Sequence, residues 1–301
     1  MLGIECRVGE SMQRHTSLHI GGAADCLAVP KNEAEIRKIL SLCTAFGLQV
    51  NIIGNGTNLL VADSGVRGMT IKIGPAFSGI TRTGNSLSVL AGTPLINVCE
   101  YAAKNSLSGL EFASGIPGTV GGAVFMNAGA YGGEIKDVLK NACVLTKNGE
   151  VRKYAAADCR FAYRESRFQS EPESIITFAE LELVPASEAD IRARMAEHKA
   201  ARQKSQPLDF PNAGSAFKRP GGNLAAAAMI DACGLKGARV GGAEISRKHA
   251  GFIINAGNAS AEDVRGLLKL VSVRVYEQYS VRLTPEYCFL GEFGEQDGKN
   301  R

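Results

Sequence analysis

Apolar residues recur along this chain with two alternating periods, one of about 3.6 residues and one of 2, so helices and strands are predicted in turn. Ile36, Ile39, Leu40 and Cys43 fall at helical spacing behind an Asn32/Glu35 capping pair, and Gly47 ends the helix. Strands are predicted at 49–53 and 69–73. Thr93-Pro94 reads as an N-cap followed by a first-turn proline, opening a helix to about Asn105. From Gly109 to Gly133 glycine is too dense for a helix or strand of normal propensity. Asn148-Gly149 reads as a two-residue hairpin turn between strands at 142–147 and 151–154. A strand at 175–183 and a charged helix from Ser187 to about Gln206, with Ser187 and Asp190 as its cap, follow.

The last third reads as an alanine-rich helix at about 223–233, then a helix capped by Ser260 and Asp263. On the second helix Val264, Leu267, Leu268, Val271 and Val275 share one face. A final strand at 281–290 sets Val281, Leu283, Tyr287 and Phe289 on one side and Arg282, Glu286 and Cys288 on the other. The class is α+β in at least two parts, with a boundary at 186–210. No repeat of 20 to 50 residues is present.

Composition adds one lead. With 301 residues the chain is long enough for two domains. Its 35 glycines make up about 12% of it, against roughly 7% in ordinary proteins. They gather at 109–133 and 214–257 and are absent from 150–213. Glycine serves where backbone takes positive φ or approaches something closely, so these clusters mark candidate ligand loops. A net charge of +4 is too balanced to suggest a nucleic-acid or membrane footprint. The first ten residues lack the unbroken apolar centre of a signal peptide, and no apolar run is long enough to span a membrane. The 8 cysteines form no CxxC motif and read as free thiols of a cytoplasmic protein. The 4 histidines form no metal-ligand pattern, so no metal is expected.

Four segments could carry chemistry. Ile53-Gly54-Asn55-Gly56-Thr57-Asn58-Leu59 follows an apolar strand and would leave backbone N–H groups for a phosphate, although a plain turn explains it equally when taken alone. It lacks the third glycine of a dinucleotide fingerprint. Ser114-Gly115-Ile116-Pro117-Gly118-Thr119-Val120-Gly121-Gly122 is a second such loop, and two loops folded together would suit a dinucleotide pyrophosphate. Tyr163-Arg164-Glu165-Ser166-Arg167 can present a guanidinium to a carboxylate. Gly214-Ser215-Ala216-Phe217-Lys218-Arg219 pairs one hydroxyl with two cations, without the GxSxG of a serine hydrolase. Glu286 and His249 are isolated candidates whose ordinary roles are solvent exposure and strand-edge polarity.

Taken in order, these strings resemble the UDP-N-acetylenolpyruvoylglucosamine reductases, also called UDP-N-acetylmuramate dehydrogenases. The matching segments begin with His15-Thr16-Ser17-Leu18-His19-Ile20-Gly21-Gly22 and the two glycine loops. They continue with Asn127-Ala128-Gly129-Ala130-Tyr131-Gly132, the Tyr163 to Phe168 and Gly214 to Pro220 segments, Lys248-His249-Ala250-Gly251-Phe252 and Pro285-Glu286. The chain resembles the shorter type of the family, which lacks an inserted substrate loop. Its Asn55-Gly56-Thr57, where relatives favour glycine and serine, and its Ala225–Ala228 run, where relatives often carry lysine, depart from the pattern.

The resemblance implies an FAD-binding region of the vanillyl-alcohol-oxidase type at 1–185, in two subdomains of about 1–73 and 74–185. A helical connection at 186–210, a smaller α+β substrate-binding domain at 211–291 and a tail at 292–301 would follow. It implies non-covalent FAD held by Ile53 to Leu59, by Ser114, Ile116, Pro117, Gly118, Thr119, Gly121 and Gly122, and by Asn127, Gly129 and Tyr131. NADPH is the implied reductant and UDP-N-acetylglucosamine enolpyruvate the substrate. Arg164, Ser215 and Glu286 are the implied catalytic residues, with Ser215 giving the proton; Lys218, Arg219 and His249 are candidates for binding substrate. A flavin-dependent alcohol oxidase, or a non-catalytic nucleotide-sugar-binding protein, are the competing readings.

Overall fold

A computed structural model describes residues 3–171, 174–221 and 225–294. Its contacts divide the chain into two units. One gathers Leu27–Asn55 and Gly68–Arg202 with the residues up to Arg7; the other gathers Val8–Cys26, Gly56–Arg67 and the residues from Gln203 on. One change of unit, between Arg202 and Gln203, falls inside helix Glu188–Ser205, and another, between Asn55 and Gly56, in the glycine loop. The chain passes between units inside the strands Glu5–Ser11, Ala23–Val29 and Val66–Lys72, where no loop signal marks a boundary.

The first unit is built on an antiparallel five-stranded sheet in the order Val151–Ala155, Leu139–Thr146, Ser174–Glu182, Ser86–Leu90, Ile80–Thr83. Val144, Leu145, Ile175, Ala179, Leu181, Leu87 and Val89 are buried in its core. Helix Glu33–Ala45 adds Ile36, Ile39, Leu40 and Cys43 to that core, and its Asn32 side chain accepts the Glu35 N–H at 3.0 Å, as its pattern predicts. Strand Val50–Ile53 runs parallel to Val66–Lys72 and delivers the chain to Gly54.

In the second unit an antiparallel sheet runs in the order Asn212–Ser215, Phe252–Asn255, Ala243–Ile245, Arg239–Val240. Helix Ala261–Tyr279 packs its predicted Val264, Leu267, Leu268, Val271 and Val275 face into the core. Strand Cys288–Leu290 pairs in parallel with Leu59–Val61.

Several local expectations are corrected by tertiary contacts. The glycine-dense segment does contain a helix, Val120–Phe125, with Thr119 accepting the Gly122 N–H at 3.3 Å. Gly121 is needed there because a Cβ would come within 2.9 Å of Ala91 Cβ, so the glycine serves packing inside the helix. Thr93 does not cap helix Leu95–Lys104; its hydroxyl accepts the Gly79 N–H at 3.1 Å. The hairpin turn is longer than two residues. Thr146 N–H bonds the Glu150 carbonyl at 2.9 Å, and of Asn148 and Gly149 only Gly149 has positive φ, at 79°. One left-handed residue after a tight turn is the signature of a three-residue loop. The last strand is confined to Cys288–Leu290, and Phe289 is 42% exposed rather than buried beside Tyr287. Pro285, which has no N–H for a ladder, contributes only an isolated bridge to Phe217. Helix Ala226–Ala232 begins inside the expected 223–233; residues 223 and 224 lie outside the described residues.

Candidate active site

The expected catalytic serine stands on a deformed strand end. Asn212 pairs with Ile254 and Ser215 with Phe252, so three steps on one strand answer two on the other. The irregularity is a β-bulge, completed by Gly214 at φ 77°, and it re-aims the residue that follows it. The Ser215 hydroxyl makes no hydrogen bond to any described residue. Its chain neighbour is held from both sides: Ala216 N–H donates to the Gly251 carbonyl at 2.8 Å, and Glu286 N–H donates to the Ala216 carbonyl at 2.9 Å.

Glu286 is fixed further by the glycine loop. The Asn58 side-chain amide donates to the Glu286 carbonyl at 3.1 Å, and Cys288 N–H donates to the Asn58 carbonyl at 2.9 Å. Lys218 N–H donates to the Thr284 carbonyl at 2.9 Å. Burial raises the Cys288 thiol pKa, and the Lys218 charge pulls it the other way. Arg219 is exposed. Ser215, Lys218, Asn58 and Glu286 are thus brought together within the second unit.

Arg164 belongs to the first unit. Ala162 and Glu165 exchange both backbone hydrogen bonds at 3.1 Å, leaving Tyr163-Arg164 as the turn, with Arg164 at φ 58°. Its guanidinium donates to the Gly129 carbonyl at 2.8 Å and lies 5.0 Å from the centre of the Tyr163 ring. Asn127, fully buried at φ 42°, braces this turn: its amide donates to the Ala162 carbonyl (3.0 Å) and Glu134 (3.1 Å), and its oxygen accepts the Lys136 N–H (3.0 Å). Both polar atoms of the Asn127 side chain are thus engaged by protein. Tyr131, at φ 50°, stacks on His198 with centroids 4.3 Å apart.

The two glycine loops are tightly built. A Cβ on Gly54 would stand 2.7 Å from Thr119 Oγ1, and the Asn55 side chain donates to the Pro117 carbonyl at 3.1 Å, so the two loops do fold onto each other. A Cβ on Gly56, whose φ is 66°, would run into the His15 carbonyl, and Ser17 N–H donates to the Gly56 carbonyl at 3.1 Å. Ile53 is buried, and its carbonyl accepts from Ile73. Ser114 spends its hydroxyl on the Glu111 carbonyl (2.8 Å) and Ile116 its N–H on Ala113 (2.9 Å). Within the first unit the N–H groups of Asn55, Gly118 and Thr119 donate to no described residue. N–H groups that no described residue accepts, on loops as tight as these, fit an anion such as a diphosphate.

One residue of this region is invisible to the motif reading. Arg202 lies half-buried with its Cδ 3.0 Å from where a Cβ of Gly115 would be, and it makes no hydrogen bond or ion pair with a described residue. Burial lowers its pKa, against the opposing pull of Tyr131. A guanidinium in this setting calls for an anion. Its only sequence signal is a cation in the last turn of a helix, which is ordinary.

Residues 24–155 match the family described as FAD binding domain, and residues 206–290 the family described as UDP-N-acetylenolpyruvoylglucosamine reductase, C-terminal domain. The class is therefore that of a flavoprotein with a reductase-type C-terminal domain. The UDP-N-acetylenolpyruvoylglucosamine reductase of Syntrophomonas wolfei is 44% identical over 286 residues, covering 95% of each chain. That of Agathobacter rectalis is 46% identical over 296 residues, covering 94% of this chain and 93% of its own. The crystal structure of the Thermus caldophilus enzyme superposes with a TM-score of 0.81 at 36% identity, over 96% of this chain and 99% of that one. The chain belongs to the UDP-N-acetylenolpyruvoylglucosamine reductase family.

Proposed function

We propose that this protein uses NADPH to reduce UDP-N-acetylglucosamine enolpyruvate to UDP-N-acetylmuramate, a step of peptidoglycan precursor synthesis. It works in the cytoplasm, where NADPH and UDP-sugars are found. The observation that carries the reading is the hydrogen-bonded line from Asn58 through the Glu286 backbone to Ala216, which ties the end of a glycine loop to the segments that carry the carboxylate and the hydroxyl that the reaction needs.

FAD, when bound, supplies the hydride equivalent received from NADPH to the enolpyruvyl methylene carbon. Its diphosphate would be held by the N–H groups of Asn55, Gly118 and Thr119 and by the Arg202 guanidinium. Glycine at 54 and 56 leaves no room for a Cβ in the first loop, and glycine at 121 lets the helix after the second loop approach Ala91; Leu59, Gly122 and Gly129 are assigned to FAD with them. Hydride addition leaves an electron pair on the neighbouring carbon, delocalised into the substrate carboxylate. Arg164 meets that charge, and Glu286 in its protonated form donates to it. Ser215 Oγ–H then gives its proton to the carbanion, so the double bond gains one hydride and one proton. An unpartnered hydroxyl aimed by a bulge suits this task. Lys218 and Arg219 are assigned to the anionic groups of substrate.

The test is a purified protein that carries flavin absorbance and consumes NADPH only when the enolpyruvyl substrate is present. A flavin-free protein that binds UDP-sugars would favour a non-catalytic role; NADPH-independent oxidation of an alcohol would favour an oxidase.

A further inference from the structure

His249 has no part in the chemistry above, yet it is bonded into the same framework. It is half-buried in the turn leading into strand Phe252–Asn255. Its Nδ1 accepts the Gly251 N–H at 3.1 Å, and its carbonyl accepts the Phe252 N–H at 3.0 Å. A ring nitrogen that accepts carries no proton, so the imidazole is neutral with its proton on Nε2. The Ser246 hydroxyl accepts the N–H groups of Lys248 (3.2 Å) and His249 (3.3 Å), and the ring meets Phe252 edge-on with centroids 4.9 Å apart. A Cβ on Gly251 would be 3.0 Å from the imidazole Cε1 and 3.1 Å from Ala227 Cβ.

Gly251 is held on both sides. Its N–H is held by the imidazole, and its carbonyl receives the Ala216 N–H; the Ala216 carbonyl in turn receives the Glu286 N–H. The two groups lie on successive peptide units joined at the Gly251 Cα, so holding the first restricts the φ and ψ that set the second, and with it the strand end carrying Ser215 and the segment carrying Glu286. We propose that His249 is a positioning residue for Ser215 and Glu286, its neutral ring holding the Gly251 peptide in register and releasing it when the ring is protonated. The inference rests on the assignment of those two residues given above.

The charges around the ring are accounted for. Burial pushes the His249 pKa below its ordinary 6.5; a backbone hydrogen bond opposes this, and Lys236 adds to the lowering. Lys236 pairs with Asp231 at 2.6 Å, Arg247 with Glu244 at 3.3 Å, and the Lys248 ammonium donates to the Gln203 carbonyl at 2.6 Å. As pH falls through the lowered pKa, Nδ1 becomes a donor facing another donor, and the bond to Gly251 is lost.

Asparagine can replace this acceptor without its titration. Asn212 accepts from Gly214 N–H, and Asn255 from Gly257 N–H, each at 3.1 Å and two residues on, as His249 does. The experiment compares wild type, His249→Ala and His249→Asn as FAD-loaded enzymes, measuring kcat and KM from about pH 5 to 8. The expected result is an acid limb in wild type and a kcat at least about tenfold lower in His249→Ala with KM changed less than about twofold. His249→Asn should recover most of that loss and lack the limb. A wild-type kcat in His249→Ala, or an unaltered limb in His249→Asn, overturns the proposal.

Imidazole ¹⁵N spectra and amide exchange of Ala216 and Gly251 need no turnover. They should show the Nε2–H form at neutral pH, and exchange that quickens on acidification in wild type but not in His249→Asn. An Nδ1–H ring overturns the proposal, whereas absent reductase turnover with the expected spectra faults the functional reading alone.

Discussion

Arg164, Tyr131 and Asn127 all have left-handed backbone, at φ 58°, 50° and 42°. A residue with a Cβ costs roughly 1 kcal/mol or more in that region, so neighbouring structure must hold it there. The Ala162–Glu165 exchange and the Asn127 brace do so for Arg164. Arg164→Ala should lower kcat by about 10²–10³-fold with flavin content unchanged, as for the loss of one fixed donor to developing charge; steady-state kinetics beside the flavin-to-protein absorbance ratio check it. Ser215→Ala should leave flavin reduction by NADPH at the wild-type rate and slow flavin reoxidation by substrate by at least about 10²-fold, read by stopped flow. Gly56→Ala should purify with little flavin, because its Cβ would meet the His15 carbonyl. Arg164, Ser215 and Glu286 became catalytic candidates through the resemblance, because each lies in a short string that matches the family, while their residue types alone suited ordinary roles. Arg202 was not legible, because what singles it out is its approach to Gly115, 87 positions away.

Among the elements, those whose signals are local were the legible ones. Helix Ala261–Tyr279 begins with the reciprocal Ser260/Asp263 capping box, at 3.0 Å in both directions, where its sequence predicts it. Its second cap was hidden: Asp63 accepts the N–H groups of Ala261 (2.9 Å) and Glu262 (3.2 Å) from nearly 200 residues away. Each of Ser260→Ala and Asp63→Ala should cost about 1 kcal/mol, seen as a lower denaturation midpoint. Thr93 misled for the same reason in reverse, since its hydroxyl prefers Gly79 to the helix beside it. The 281–290 alternation suggested one strand, but pairing with Leu59–Val61 covers only its last three residues.

For the whole molecule, composition and period identified an α+β chain of two parts, and the ordered motifs identified its family. The interleaving of the parts was not legible, because three of the crossings fall inside strands whose patterns are continuous and one inside helix Glu188–Ser205. Stability should follow pH through buried carboxylates. Burial would raise the Glu111 pKa, but Arg194 (2.5 Å), Ser108 (2.7 Å) and Gly109 N–H (2.8 Å) outweigh it and lower the value below the ordinary 4.5. A carboxyl with a depressed folded pKa contributes stability that is present above the unfolded value and lost as pH falls through the folded one. Glu111→Gln should therefore be less stable than wild type at pH 7, with the difference shrinking as pH drops below about 4, measured by thermal denaturation.

The most direct test of the central claim is anaerobic stopped-flow absorbance of the purified, flavin-loaded protein, first mixed with NADPH and then with UDP-N-acetylglucosamine enolpyruvate. The account predicts bleaching of the flavin band by NADPH and its return on adding the enolpyruvyl compound, with one UDP-N-acetylmuramate formed per flavin reoxidised. A reduced flavin that stays bleached in the presence of that compound would contradict it.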